Sequence, residues 1–546
     1  MSTPLSGAQM LVKAMQQAGV EQIFSLSGNH IMCVYDALIG SGIKLLHTRH
    51  EAAAVHMADT WARLKAGVGV AMVTGGPGHA NAVSALYTAY MSESPVILLS
   101  GHAPLSQAGK GAFQEIDQVA MTRPVVKAAW AARSADTLAE DFAKACRIAL
   151  SGRPGPVHLS LPNDVLDALS THDTVPDAQA FQRLPRPLPL ESASAVLDQL
   201  ARAKQPIVIL GPEGWKPGNE SAVARLEASL GVPVVATESP RGVNDPALGS
   251  FSTALAEADC VLLLGKRLDF TLGFGQAPAF STACRFLQID ADLSEFERST
   301  NAVKERLALI AHADTLSSVD VLAAAAAKRN DLARPEWLET VRTAIQYRPP
   351  EWKHAHDDAA HGLHPAQLCA EIQAVLDRHP EAVLVVDGGE FGQWAQACLS
   401  APKRVINGAA GAIGSALPMA LAAKIACPEA LVVALMGDGT FGFHSSEFDT
   451  ATRAGVSFLC VVGNDACWNA EHQIQLRSYG QDRAWGCDLL PTEYDKVATA
   501  FGGHGVSVNQ MSELPAALEA AISASKPACL NVRLHGLPAP KIRLEP

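Results

Sequence analysis

Short runs of Val, Ile and Leu recur along the chain, at 23–26, 68–73, 95–100, 156–161, 206–210, 260–264, 382–386, 430–436 and 458–462, most of them soon followed by Gly, Asp or Asn. Amphipathic stretches separate them. The runs are near-continuously apolar and do not alternate. That is the mark of strands covered on both faces, as in parallel sheets flanked by crossover helices. The pattern predicts α/β architecture throughout, built as doubly wound parallel sheets.

Two breaks interrupt this rhythm. Residues 171–190, THDTVPDAQAFQRLPRPLPL, are Pro-rich and aperiodic and read as a tether across a surface. Residues 326–365 form a polar segment around one helix, with a second Pro-containing break. The cuts give three domains, 1–170, 190–325 and 360–546, each able to form a sheet of five or six strands. A length of 546 residues agrees with that number of domains. The first and third pieces share the pattern helix, Gly-bearing loop, helix, strand, Gly-rich turn, as a distant internal duplication would.

Composition narrows the function classes. The chain is 48% hydrophobic and 18% charged, which excludes disorder, and 43 basic against 55 acidic residues leave a net charge of −12. An acidic surface argues against a nucleic-acid partner. No uninterrupted apolar run is long enough for a membrane span, so no membrane partner is expected. The first residues read as a cap and an amphipathic helix, not a signal peptide. Eleven cysteines, an odd number without CxxC pairs, read as free buried thiols of a reducing, cytoplasmic compartment.

The densest chemistry lies at 431–469, LVVALMGDGTFGFHSSEFDTATRAGVSFLCVVGNDACWN. One strand runs into Gly437-Asp438-Gly439-Thr440, ahead of a helix opening near Ser445, and a second strand ends at Gly463-Asn464-Asp465. Asp438 and Asp465 stand 27 residues apart, one strand–helix–strand unit. Both carboxylates then face the carboxyl edge of a parallel sheet, where α/β proteins bind ligands. Such carboxylates, a backbone carbonyl and diphosphate oxygens suit octahedral Mg²⁺. Gly437 and Gly439 let backbone N–H groups approach phosphate. Alone, GDG is nearly always an ordinary turn.

The whole segment resembles the thiamine-diphosphate motif, in which GDG is followed by a second strand ending in Asn-Asn; here Asp465 replaces the second Asn. The resemblance implies thiamine diphosphate and Mg²⁺ as cofactors, with Asp438, Asp465 and the Cys467 carbonyl as metal ligands. It gives the Cys467 thiol no role. Residues 49–63, RHEAAAVHMADTWAR, resemble the family's pyrimidine-binding helix. Glu51 then aligns with the glutamate that activates the cofactor toward its C2 ylide and acyl-anion chemistry.

Further stretches agree with that family. Residues 73–78, VTGGPG, resemble its TSGPG turn, and 111–126, GAFQEIDQVAMTRPVV, resemble acetolactate synthase large subunits and benzaldehyde lyase. By this likeness Gln114 points toward cofactor and substrate. His30 matches a benzaldehyde lyase histidine and would relay protons to the substrate. Residues 407–418, NGAAGAIGSALP, resemble the stretch under the thiazolium, with Gly411 offering its carbonyl and Ile413 wedging the cofactor. Gly389 and Glu390 fall where the family touches diphosphate, although Glu390 is an odd neighbour for an anion. Thr440 and Trp468 complete the implied cofactor contacts.

The middle piece resembles the family's central domain, which holds FAD in acetolactate synthases and ADP or CoA in some relatives. No GxGxxG occurs, so an independent dinucleotide site is not expected. Lys266 and Arg267 would meet a nucleotide phosphate or form a solvated charge pair. Together these likenesses imply a lyase or carboligase of the acetolactate synthase, benzaldehyde lyase and 2-hydroxyacyl-CoA lyase group, acting on a small carbonyl substrate. A 2-keto-acid decarboxylase is the alternative, without the adjacent histidines such enzymes commonly carry. A non-catalytic binding protein on the same fold would not need Glu51. The family builds its site between subunits, which implies at least a homodimer and points to a homotetramer.

Overall fold

The computed structural model describes residues 4–65, 67–216, 218–356 and 361–542, so part of the second sequence break, 357–360, lies outside the described residues. Among the described residues seventeen strands assort into three sheets, and every pairing between them is parallel. The first sheet contains β1 (Gln22–Ser25), β2 (Lys44–His47), β3 (Gly69–Val73), β4 (Val96–His102), β5 (Ala128–Ala131) and β6 (Val157–Pro162), in the order β2-β1-β3-β4-β6-β5. The middle sheet contains β7 (Pro206–Leu210), β8 (Val234–Ala236), β9 (Cys260–Leu264), β10 (Arg285–Asp290) and β11 (Leu307–His312), in the order β11-β10-β9-β7-β8.

The third sheet contains β12 (Val383–Val386), β13 (Lys403–Ile406), β14 (Val432–Gly437), β15 (Leu459–Asn464), β16 (His504–Val508) and β17 (Ala528–Arg533). Its order, β13-β12-β14-β15-β17-β16, repeats that of the first sheet strand for strand. The shared sequence pattern of those two pieces therefore reflects a shared topology. Among the described residues no helix is long and apolar enough to cross a membrane. All eleven cysteines are free thiols.

One helix joins the outer domains. Glu51–Leu64 begins where His50 Nδ1 accepts the Ala52 N–H at 3.1 Å, and residues 51–63 are all buried. Its alanines 52, 53, 54 and 58 let it sit against its own sheet on one side. On the other it packs against the equally apolar helix Ala416–Ala426 of the third domain, so a single apolar cluster spans both domains. Arg63 crosses the seam, paired with Asp59 at 2.6 Å and donating to the Ile406 carbonyl at 2.6 Å. Beside it Gly408, at φ +68°, lies so close to Ser92 that a Cβ would stand 2.1 Å from Oγ.

The first and middle domains meet through charge. Arg153 follows the helix Leu138–Leu150 and pairs with both Glu93 and Asp290, all three side chains being buried. It also donates to the Gly265 carbonyl at 2.9 Å. Burial pushes the Asp290 carboxyl up to about 6, so its ionised form depends on this cation. Removing one partner of a buried ion pair leaves an uncompensated charge. Arg153→Met should therefore cost about 3–5 kcal/mol, read as a lower urea midpoint; a loss under ~1 kcal/mol would contradict a keystone role.

Candidate active site

β14 and β15 lie side by side with Gly437 opposite Gly463, so the two chains leave the sheet at the same level. The helix after β14 begins at Asp438 itself, not near Ser445, with Gly437 as its N-cap, and a second helix starts at Glu447. The strand end thus delivers the carboxylate directly to the sheet edge. Asp438 is 1% exposed, and its Oδ2 has no protein partner. Burial raises its carboxyl to about 6. Asp465 is raised to about 7, by burial first and by the Asp438 charge second. Two carboxylates in each other's field, Asp465 half-buried and Asp438 buried with an orphaned oxygen, form a hard oxygen site that a divalent cation would satisfy.

The loop after β15 is set by Asn464, whose role the motif alone did not disclose. Its Oδ1 accepts the Ala466 N–H at 3.2 Å, and its Nδ2 donates to the Thr492 carbonyl and Asn531 Oδ1 at 2.9 and 3.0 Å. This holds Ala466 at φ +53° and turns Asp465 toward Asp438. A Cβ on Gly439 would stand 2.6 Å from the Trp468 ring, so Trp468 braces the GDG turn. A Cβ on Gly437 would meet nothing within 4 Å, which leaves open space for an anion at the backbone. Thr440 Oγ1 donates to the Gly437 carbonyl at 2.9 Å. Cys467 follows in the same loop, its thiol pushed up to about 12 by burial and nearby carboxylates.

The neighbouring strand end, after β12, carries a residue that sequence reasoning passed over. Buried Asp387 accepts the Gly388 and Gly414 N–H groups on Oδ1 at 2.7 and 3.0 Å and the Ala416 N–H on Oδ2 at 2.9 Å. It staples the 407–416 loop, with Gly411 and Ile413, to the sheet. Gly388, Gly389, Gly411 and Ile413 then line a cavity of about 180 Å³ together with Ser239–Arg241 of the middle domain. Glu390 does not face this cradle as a bare charge. It accepts the Ala539 N–H at 3.1 Å and the Gln393 Nε2–H at 3.0 Å, so it fastens the carboxy-terminal tail.

The first domain gathers its own group around the turn after β3. Glu51 Oε2 accepts from Asn81 Nδ2 at 3.0 Å, while Oε1 faces Gly78, where a Cβ would approach to 3.3 Å. One carboxylate oxygen is thus held and the other approachable. His30 Nδ1 lies 3.1 Å from Thr74 Oγ1, and its ring stacks on Phe113 with centroids 6.1 Å apart. Burial, then the nearby His102, lowers its pKa, so His30 is neutral at neutral pH. Gln114 adopts φ +59° with its backbone packed on Gly76. Gln118, not singled out from the sequence, accepts the Gly76 N–H at 3.0 Å and donates to Ser100 and Ser160.

Comparison with known proteins decides what these half-sites belong to. Residues 5–121 match the model described as thiamine pyrophosphate enzyme, N-terminal TPP binding domain, residues 193–318 the central domain, and residues 387–532 the C-terminal TPP binding domain. The acetolactate synthase large subunit IlvG of Mycobacterium tuberculosis is 34% identical, over 97% of both chains. The 2-hydroxyacyl-CoA lyase 2 of Homo sapiens is 31% identical over 93% of this chain and 86% of its own, and that of Danio rerio 30% over 94% and 88%. The chain belongs to the thiamine pyrophosphate enzyme family.

In this thiamine pyrophosphate enzyme the middle sheet changes its strand direction of progress between β7 and β9, the crevice where open α/β sheets bind ligands. Arg153 from the first domain lies beside it at the same carboxyl edge, bonded to Gly265 just after β9 and to Asp290 at the end of β10. Lys266 is buried, and Arg267 pairs with Glu295 at 3.4 Å while lying over the Tyr90 ring. Arg267 is thus engaged with protein, and Lys266 is withdrawn from solvent, so the two do not form a solvated charge pair.

The helix that starts at Asp438 ends at His444, whose Nδ1 lies 2.7 Å from the Gly414 carbonyl oxygen and whose ring meets His50 and His56 at 5.6 and 5.8 Å. Burial lowers His444 to about 4. An unfolded imidazole titrates near ~6.5, so below that pH the unfolded chain takes up a proton that the folded chain refuses until about pH 4. Its contribution to stability is full above the unfolded pKa and falls with pH, by at most ~3 kcal/mol. His444→Gln should narrow its Tm gap from wild type as pH falls from ~6.5 to ~4.5; a gap independent of pH would contradict this.

Proposed function

We propose that this chain is a Mg²⁺- and thiamine-diphosphate-dependent C–C lyase or carboligase acting on 2-keto acids, aldehydes or 2-hydroxy ketones. The observation that carries the reading is the Asp438–Asp465 pair with the buried, orphaned Asp438 Oδ2, beside an open glycine backbone. Those carboxylates and the Cys467 carbonyl would hold the metal, and the open space at Gly437 would take the diphosphate. Bound there, thiamine diphosphate supplies a nucleophilic carbon that attacks a carbonyl and accepts the electron pair of the breaking C–C bond.

The chain's own residues supply position and protons. Asn81 holds Glu51 Oε2, leaving Oε1 to carry a proton toward the aminopyrimidine. Neutral His30, hydrogen-bonded to Thr74, is placed to move a proton at its ring nitrogen. Gln114 follows Phe113, whose ring stacks on His30, and its backbone packs on Gly76. Ile413 and Gly411 shape the cavity stapled by Asp387.

The lining of that cavity comes from the middle and third domains, whereas the Glu51 hydrogen bond stays within the first. In this reading the Glu51 half of a second copy completes the site, which makes the protein at least a homodimer and is compatible with a homotetramer.

A second reading, a 2-hydroxyacyl-CoA lyase, is favoured by one feature. A cavity of about 1310 Å³ adjoins the Ile413 cradle through shared Pro240, Arg241 and Gln393. Its wall carries Arg241, Arg477 and Lys541 together with Trp352, Trp394 and Leu537. That space exceeds the ~300–1,000 Å³ of ordinary small-ligand sites and suits a large anionic substrate with an apolar part.

The deciding experiment supplies pyruvate, benzaldehyde or benzoin, and a 2-hydroxyacyl-CoA to purified protein with thiamine diphosphate and Mg²⁺, with products read by mass spectrometry. Turnover of the thioester alone selects the second reading; turnover of none overturns both. Glu51→Gln should fold and retain cofactor yet lose about 10²–10⁴ in kcat, and near-normal turnover would defeat the assigned role. Asp438→Ala should abolish Mg²⁺-dependent cofactor retention in equilibrium dialysis; undiminished retention would contradict the metal site.

A further inference from the structure

The loop carrying Asp465 has a second side, and it is built differently. Cys467 pairs with Asp488 in an antiparallel bridge, flanked by Trp468 N–H to the Cys487 carbonyl at 2.8 Å and Leu489 N–H to the Ala466 carbonyl at 2.7 Å. These bonds fix the Cys467 and Asp488 side chains on one strip of backbone. The helix Asn469–Tyr479 starts two residues later, and His472 lies in its first turn, its N–H bonded to the Trp468 carbonyl at 3.0 Å. Side chains in a helix lean toward its N-terminus, so His472 reaches back over the strip. Cys467 Sγ and His472 Nδ1 stand 3.3 Å apart. With an Asp488 carboxylate oxygen, all three ligand atoms lie within 4.8 Å of one another.

We propose that Cys467, His472 and Asp488 form a second cation site, distinct from the carboxylate pair, that takes a borderline-soft divalent ion such as Zn²⁺. The donor set decides the class. Thiolate, imidazole and a carboxylate suit zinc or cobalt, whereas Mg²⁺ takes oxygen and stays with Asp438 and Asp465. The spacing decides the geometry. Tetrahedral zinc with sulfur at ~2.3 Å and nitrogen at ~2.0 Å sets its S and N ligands roughly 3.5 Å apart, close to the observed 3.3 Å. Cys467 and His472 are half-buried and Asp488 is exposed, so the fourth position opens to water.

Binding displaces the thiol proton to solvent and closes a bond between Cys467 Sγ and the ion, with no change of oxidation state. The ion pins the loop that presents Asp465, tying it to the 487–489 segment. The site therefore acts as a fastener beside the cofactor edge, and it does not depend on which reaction the enzyme runs.

The test uses the full-length protein, stripped of metal by a chelator and without thiamine diphosphate. Titration with Co²⁺ should develop a thiolate-to-cobalt charge-transfer band that saturates at one ion per chain, persists in excess Mg²⁺ and disappears on adding Zn²⁺. Cys467→Ser should abolish the band. His472→Gln should keep the band's origin but weaken Co²⁺ binding by more than ~100-fold, beyond the cost of losing an outer-shell partner. Both variants should show the wild-type unfolding transition in the absence of metal. A titration without a thiolate band, a band surviving Cys467→Ser, or displacement by Mg²⁺ would overturn the proposal.

Discussion

Two alanine-rich helices packed against one another set the geometry of the molecule. Small side chains on Glu51–Leu64 let its backbone approach both its own sheet and the helix Ala416–Ala426, and the resulting apolar seam is one continuous core across two domains. Interiors at that density transmit position well, because a shift of one methylene is felt. Glu51 is the first residue of one seam helix, and Ile413 lies three residues before the other. The buried seam thereby fixes the chemical ends of both helices at once. Arg63 and Gly408 close its edge, where polar backbone would otherwise be left without partners.

An acidic chain that handles an anion does so by spending its acids inside. Asp387 clips three backbone N–H groups, and Glu447 accepts the Arg49 N–H at 3.0 Å. Glu390 holds the tail, and Asp438 and Asp465 face one another across the sheet edge. Each is locally compensated or waits for a cation, so the net charge of −12 is no obstacle to a diphosphate. The formal charge of the chain and the field at its site are separate quantities.

Most interior strands were legible because burial on both faces leaves an unbroken apolar run; β10 and β17, interior too, were missed because Gln288 and Asn531 interrupt theirs. The strands missed by that signal include β5, β11, β13 and β16, each at the edge of a sheet with a half-exposed face. A strand with one neighbour need not be apolar on both sides. At the site, Asp438, Asp465 and Glu51 could be found because motif spacing is local. The roles of Asp387, Asn464, Asn81 and Gln118 could not, since each acts through a bond to a residue far away in sequence: Asp387 reaches Ala416, and Asn464 reaches Asn531. The helix start moved from Ser445 to Asp438 because a glycine N-cap leaves no side-chain signature.

Arg153 gives the molecule an order of assembly. Domains emerge from the ribosome and fold in sequence, so the guanidinium is in place before Asp290 has been made. Until the two meet, the middle sheet carries a carboxylate at its carboxyl edge with no cation to answer it. Docking, and not the folding of either sheet alone, neutralises the last buried charges. The middle domain is in that sense born incomplete, and its finished form is written partly in the residues of its predecessor.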